Sequence, residues 1–304
     1  MTRRRVLPLA LGAAAAAVAR PGAAQQVPWS AGTERPTTKA PPNATDCHHH
    51  IYSSRFAVDP KAVLRPGDAS IEDYRQLQKR IGTTRHVVVQ PSTYGLDNSG
   101  LIEVLQTFGP TARGVAVVNP DVSDEELGKL HAAGVRGIRF NILAPGGATS
   151  IDMVAPLARR IAPLGWHVDV FASPDLIVQS KALWSSLPCD VVFDHLGRVP
   201  AADHPAFAVL TELMQARKAW VKLSSPYMIS TIGPPTYADR SVVAQAFVRA
   251  APERCVWGSD WPHPTEKDKP DDALLFDLLA NWAPATTTRN RILVDNPARL
   301  YGFT

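Results

Sequence analysis

Cysteine is scarce in this chain. Cys47, Cys189 and Cys255 are the only three in 304 residues, an odd number, and each lies in or beside an apolar strand-like run. They read as small buried residues, which excludes a disulfide framework as the source of stability. Long apolar runs are missing too: the one from Val6 to Ala19 is too short to cross a bilayer, so it reads as no transmembrane helix. No block of lysine or arginine interleaved with aromatics follows it, which excludes a nucleic-acid surface. The glycine-rich phosphate loop of a dinucleotide fold is absent after the first strand, where Asp46-Cys47-His48-His49-His50-Ile51-Tyr52 leads into Ser53, Ser54 and Arg55.

What is present begins with a basic start (Arg3, Arg4, Arg5), the short apolar run, and small residues at Gly22 and Ala24. This pattern predicts an export signal over residues 1–24, with adjacent arginines in twin-arginine arrangement, and a periplasmic or secreted protein with no membrane anchor after cleavage. Residues 25–42, rich in proline, threonine and alanine, read as a linker or N-terminal arm. From residue 43 to 304, β-branched or apolar runs alternate with amphipathic stretches. Strands are expected at 46–52, 86–92, 113–119, 135–141, 166–172, 190–197, 219–225 and 255–260. Ser70 and Ser123 precede acidic first turns, Ser123 with Glu126 in capping-box spacing. Ser150 opens a helix in which Ile151, Val154, Leu157, Ile161 and Leu164 recur before Gly165. Eight strand-then-helix units predict a single-domain (β/α)₈ TIM barrel, with an open doubly wound sheet as the alternative.

Only nine histidines occur, and three stand together at His48, His49 and His50. Strand alternation puts Asp46, His48 and His50 on one face, and Cys47, His49 and Ile51 on the other. In a parallel barrel the chemistry lies at the C-terminal strand ends. There the sequence offers His48 and His50 on strand one, and Arg139 and Asn141 on strand four. Strand six ends on Asp194 and His195 with Arg198 beyond; strand seven offers Lys222 and Ser224; strand eight ends on Asp260 with His263 after it. His49 reads as structural. His263 is as consistent with bracing the loop as with touching substrate, and Lys222 with pairing to a buried acid. The set His48, His50, His195 and Asp260, spread over three strands, is hard to account for as packing.

Those motifs, with Gly134-Val135-Arg136-Gly137-Ile138-Arg139-Phe140-Asn141 and the closing Val294-Asp295-Asn296-Pro297-Ala298-Arg299-Leu300-Tyr301, resemble the amidohydrolase superfamily. They are most similar to its branch of lactonases and lactone isomerases acting on 2-pyrone-4,6-dicarboxylate, 4-sulfomuconolactone and D-galactarolactone. The resemblance covers about Asn43 to the C-terminus and implies a distorted barrel that hydrolyses or rearranges a ring ester. It also implies that Asp260 takes a proton from water and returns it to the leaving oxygen, while His48, His50 and His195 surround the carbonyl oxygen. Arg139, with Asn141, Arg198 and Lys222, is then expected to bind substrate.

On chemistry alone, His48, His50, His195 and Asp260 also suit a mononuclear zinc site. No lysine or glutamate ends strand four or five to bridge two ions. The branch is implied to work without metal, and that is the expectation here; a zinc amidohydrolase or decarboxylase, a lactone isomerase and a non-catalytic binding protein are the alternatives. The lactonase pattern carries a lysine-arginine pair after strand four and an arginine after strand seven, where this chain has Ala144 to Gly147 and Tyr227-Met228. A tyrosine of the pattern is matched by Val170. Each buried carboxylate of a substrate needs a cation, so the expected partner is a small-molecule lactone with one carboxylate or none.

Overall fold

All eight expected runs form strands, and they pair in parallel in sequence order: β1 (Thr45–His49), β2 (Arg85–Val89), β3 (Ala112–Ala116), β4 (Val135–Asn141), β5 (His167–Phe171), β6 (Val191–Phe193), β7 (Ala219–Leu223) and β8 (Cys255–Trp257). The computed structural model describes residues 26–143 and 148–304; the expected export signal and the Ala144 to Gly147 stretch lie outside the described residues. The barrel closes through backbone hydrogen bonds from Asp260 N to His48 O (2.7 Å) and from His50 N to Trp261 O (2.8 Å). No helix among the described residues is long and apolar enough to cross a membrane.

Helices alternate with the strands: α1 (Ile71–Ile81), α2 (Ser99–Phe108), α3 (Asp124–Ala133), α4 (Val154–Ile161), α5 (Pro174–Gln179), α6 (Lys181–Ser186), α7 (Pro205–Gln215), α8 (Ala238–Ala250), α9 (Asp272–Trp282), α10 (Thr286–Asn290) and α11 (Asn296–Tyr301). The reciprocal capping box forms at Ser70 and Asp73, whereas Ser123 makes only the bond from Glu126 N. Val154, Leu157 and Ile161 are buried against the sheet, and Gly165 ends that segment in the left-handed region (φ 70°), as their spacing predicts.

One expectation about β1 fails. Asp46 pairs with His86 and His49 with Val88, so three steps on β1 match two on β2, a β-bulge. The extra residue breaks the alternation. Cys47 turns inward, packed with Val87, Val89, Val115, Val192, Trp220 and Val256. Asp46 turns outward, accepting from Tyr74 of α1 (3.0 Å) and from Ser259 Oγ (2.6 Å). His48 and His50 still share the inner face, because the extra residue falls at Cys47 and His48 and the alternation resumes from there. Tyr301 and Phe303 plug the lower end of the barrel beneath Trp220.

The arm before β1 is ordered and docked. Arg80 of α1 donates to Ser30 Oγ (3.1 Å) and to the carbonyls of Ala31 (2.9 Å) and Glu34 (2.7 Å), and it pairs with Asp271 (2.6 Å).

Candidate active site

Three strands end on strained backbone. His195 after β6 (φ 53°), Ser225 after β7 (φ 51°) and Asp260 after β8 (φ 62°) all lie in the left-handed region, where a residue with a Cβ costs about 1–3 kcal/mol. Each turn aims its side chain at the barrel axis. Gly258 lets β8 approach β1 closely enough for this: a Cβ there would meet His48 Cβ at 2.7 Å.

Beneath these ends lies a buried charge network. Lys222 is fully buried and its Nζ contacts Asp169 (2.5 Å), Asp194 (3.1 Å) and His48 Nδ1 (3.0 Å). Asp194 also accepts from Arg139 Nε (3.2 Å). Burial alone would raise Asp194, but Lys222, His48 and Arg139 overcome it and hold its carboxyl well below the usual range. Burial and the charge of Asp194 push Asp169 up to about 8. Burial lowers Lys222, but Asp169 and Asp194 outweigh it and raise the ammonium above its ordinary value. Lys222 does not line the cavity. It is thus a charge that fixes Arg139 and His48 from below, not the direct substrate contact expected. Asp169 was missed, although inward alternation on β5 between His167 and Phe171 marks it.

Above the network, His48 Nε2 and His50 Nε2 are 3.3 Å apart. Asp260 Oδ1 is 3.5 Å from the first, 3.6 Å from the second and 3.8 Å from His195 Nε2. Asp260 Oδ2 accepts from Ser225 Oγ (2.8 Å) and from the Tyr227 hydroxyl (2.7 Å). Burial would raise Asp260, yet His195, His50 and His48 hold it well below the usual carboxylate range. Burial, with Lys222 beside it, depresses His48, and burial depresses His195. His50 Nδ1 lies 2.8 Å from the Val89 carbonyl, which only accepts, so that nitrogen carries the hydrogen.

The same atoms fit a divalent ion. Donors about 2.0–2.2 Å from a tetrahedral ion sit about 3.3–3.6 Å apart, which matches His48, His50 and Asp260, with His195 slightly wide. His48 has a partner for either hydrogen position. Lys222 donates to a bare Nδ1, whereas Asp194 Oδ1 at 3.2 Å would hold an Nδ1–H and free Nε2 as a ligand.

A cavity of about 410 Å³ opens over this floor, lined by His50, Arg139, Asn141, Phe171, His195 and Asp260 below and by Val63, Leu64, Met228 and Pro264 toward the mouth. Asn141 donates to Ser92 Oγ at 2.9 Å. Arg198 does not line the cavity; its guanidinium lies 5.4 Å from the Phe171 ring, whose centroid is 5.7 Å from that of Arg139. Lys61, on the loop after β1, lines the cavity and was not anticipated. Loops of that length carry no periodic signal to place a side chain. His263 is fully buried between Tyr227 (2.9 Å) and Asp272 (3.1 Å), so it braces the loop. His49 is structural, stacked on Tyr74 at 3.5 Å.

Known proteins resemble the chain closely. A 2-pyrone-4,6-dicarboxylate hydrolase of Comamonas testosteroni is 37% identical over 90% of this chain and 94% of its own length. A 4-sulfomuconolactone hydrolase of Rhizobium radiobacter is 35% identical over 86% of this chain and 91% of its own. Among solved structures, an Agrobacterium tumefaciens protein superposes with a TM-score of 0.84 at 28% identity, covering 91% of this chain and 99% of that one. A probable 2-pyrone-4,6-dicarboxylic acid hydrolase of Acinetobacter baumannii, solved with citric acid bound, gives 0.75 at 26% identity, covering 86% and 100%. The amidohydrolase family model matches residues 45–303, the whole barrel, and the chain belongs to the amidohydrolase family.

Proposed function

We propose that this enzyme opens a lactone by attack of water, with Asp260 as the base. The observation that carries the reading is the division of labour at Asp260, which lines the cavity: Oδ2 is held by two hydroxyls, while Oδ1 has only the imidazole nitrogens of His48, His50 and His195 near it, at 3.5, 3.6 and 3.8 Å. Its carboxylate is ionised at neutral pH and takes a proton from water as the water oxygen attacks the ester carbonyl carbon. The ring C–O bond then breaks, and the leaving oxygen takes that proton back from Asp260. The hydroxyls of Ser224 and Ser225, 2.8 and 2.9 Å from His195 Nδ1, hold that ring in place with Nε2 on the side of Asp260 Oδ1. Arg139, with Nε and one face of its fork on Asp194, has Nη hydrogens left for a substrate carboxylate. Lactone-hydrolysing relatives and an anion in a related structure support this class of substrate. A ring ester with one carboxylate fits Arg139, the single buried cation among the described residues that line the cavity.

The hydrogen bonds close without metal: Lys222 donates to His48 Nδ1, His48 Nε2–H to His50 Nε2, and His50 Nδ1–H to Val89. The ligand spacing favours a second reading. A zinc ion held by His48, His50, His195 and Asp260 would supply a Lewis acid and a more acidic water. Elemental analysis of protein purified without added ions separates the two. The first predicts roughly less than a tenth of an equivalent, with activity surviving a chelator; near-stoichiometric zinc would overturn it.

A lactone panel followed by ultraviolet absorbance and pH indicator tests the activity itself. Saturable opening of at least one carboxylated lactone is expected, falling about 10²–10⁴-fold in Asp260→Asn. Opening that survives in Asp260→Asn would remove the proposed base.

A further inference from the structure

A carboxylate turns readily about its last torsion, and a half-turn exchanges its two oxygens. Asp260 therefore needs something to decide which oxygen meets the water. The Tyr227 hydroxyl, 2.7 Å from Asp260 Oδ2, lies 2.9 Å from His263 Nδ1, and His263 Nε2 lies 3.1 Å from Asp272 Oδ2. None of Tyr227, His263 and Asp272 lines the cavity. A tyrosine hydroxyl has one hydrogen. Given to ionised Asp260, it leaves the oxygen to accept from His263 Nδ1–H, and Nε2 then meets Asp272 with a proton between them.

The far end of this chain rests on the N-terminal arm. Asp272 opens α9, and its backbone N–H donates to Ser30 Oγ (3.2 Å), while Ala31 N donates to Pro270 O (3.0 Å). Arg80, which donates to Ser30 Oγ at 3.1 Å, also pairs with Asp271, the N-cap of α9. Docked arm, buried aspartate, histidine and tyrosine thus run in line to the reacting carboxylate.

We infer that Tyr227 and His263, backed by Asp272 and Ser30, are positioning residues that lock the carboxylate of Asp260 with Oδ1 toward the water. The inference rests on the proposed role of Asp260 as base. A supported base holds its productive orientation; one free to rotate spends part of its time with the wrong geometry. Ser225 supplies a second lock on Oδ2, so removing Tyr227 weakens the orientation without abolishing it.

The test uses full-length Tyr227→Phe, His263→Asn and His263→Gln, with lactone kinetics and crystal structures of each. In Tyr227→Phe kcat falls about tenfold or more, KM stays within about threefold, and the Asp260 carboxylate is rotated or split between two orientations. The amide nitrogen of asparagine can replace Nδ1 and keep the donor to Tyr227, so His263→Asn retains more kcat than His263→Gln. A role in packing alone would favour glutamine, the closer match in size. Wild-type kcat with an unrotated carboxylate in Tyr227→Phe would overturn the inference while leaving lactone hydrolysis intact. A rotated carboxylate in a protein that opens no lactone would uphold the positioning and sink the substrate reading. Should Tyr227→Phe fail to fold, the ranking of the two His263 variants decides.

Discussion

At the scale of single residues, the site depends on a side chain that is absent. Gly258 presents only hydrogen to His48, whose Cβ and backbone N lie 2.7 and 2.9 Å from where a methyl would sit. Both are parts of a neighbouring strand and cannot swing aside. Gly258→Ala should therefore push β1 away from β8, costing about 1–3 kcal/mol of stability by overpacking. Activity should fall by more than the loss of folded protein explains, because His48 and the Asp260 N to His48 O bond lie on that seam. Thermal melting beside kcat measures both. An unchanged kcat would show that the seam tolerates the shift.

Elements meet at a second histidine pair, on the outer face where β1, β2 and α1 pack. His86 Nδ1 lies 2.8 Å from His49 Nε2, and burial takes His86 from 6.5 down to about 3. Its folded value is depressed, so between pH 6.5 and 3 the unfolded chain takes a proton that the folded chain refuses, and stability falls as pH drops through that window. By pH 5 this one group accounts for about 2 kcal/mol. His86→Leu removes that contribution, so urea unfolding should show its penalty smaller at pH 5 than at pH 7 by about that amount. A penalty equal at the two pH values would mean that the folded protein protonates His86. The same pair of strands marks how far the sequence is legible. Runs of β-branched and apolar residues located every strand, β4 at both ends, and the period-two rule then assigned the faces. It failed at Asp46 and Cys47, because a bulge is a property of two paired strands and leaves no mark in one. It named Lys222 as inward but not its partners, since Asp169 and Asp194 reach it only across neighbouring strands. Tyr227 was read only as a cation missing after β7; that it holds Asp260 depends on a loop conformation no local pattern encodes.

For the whole molecule, the barrel explains why residues from 48 to 272 act together. Eight strands in sequence order bring β1 beside the end of β8, and thereby His48 and His50 beside Asp260. The lower half of the axis is filled by Trp220, Tyr301 and Phe303, so the cavity opens at the C-terminal strand ends alone among the inner layers. The proposed reaction turns on water attacking the ester, with Asp260 taking its proton. Its most direct test is turnover of a lactone substrate in ¹⁸O-enriched water, with the product weighed by mass spectrometry. Hydrolysis predicts a ring-opened acid carrying one solvent oxygen from the wild-type enzyme and almost no product from Asp260→Asn. A product of unchanged mass, made by isomerisation without water, or a labelled product formed at full rate by Asp260→Asn, would contradict it.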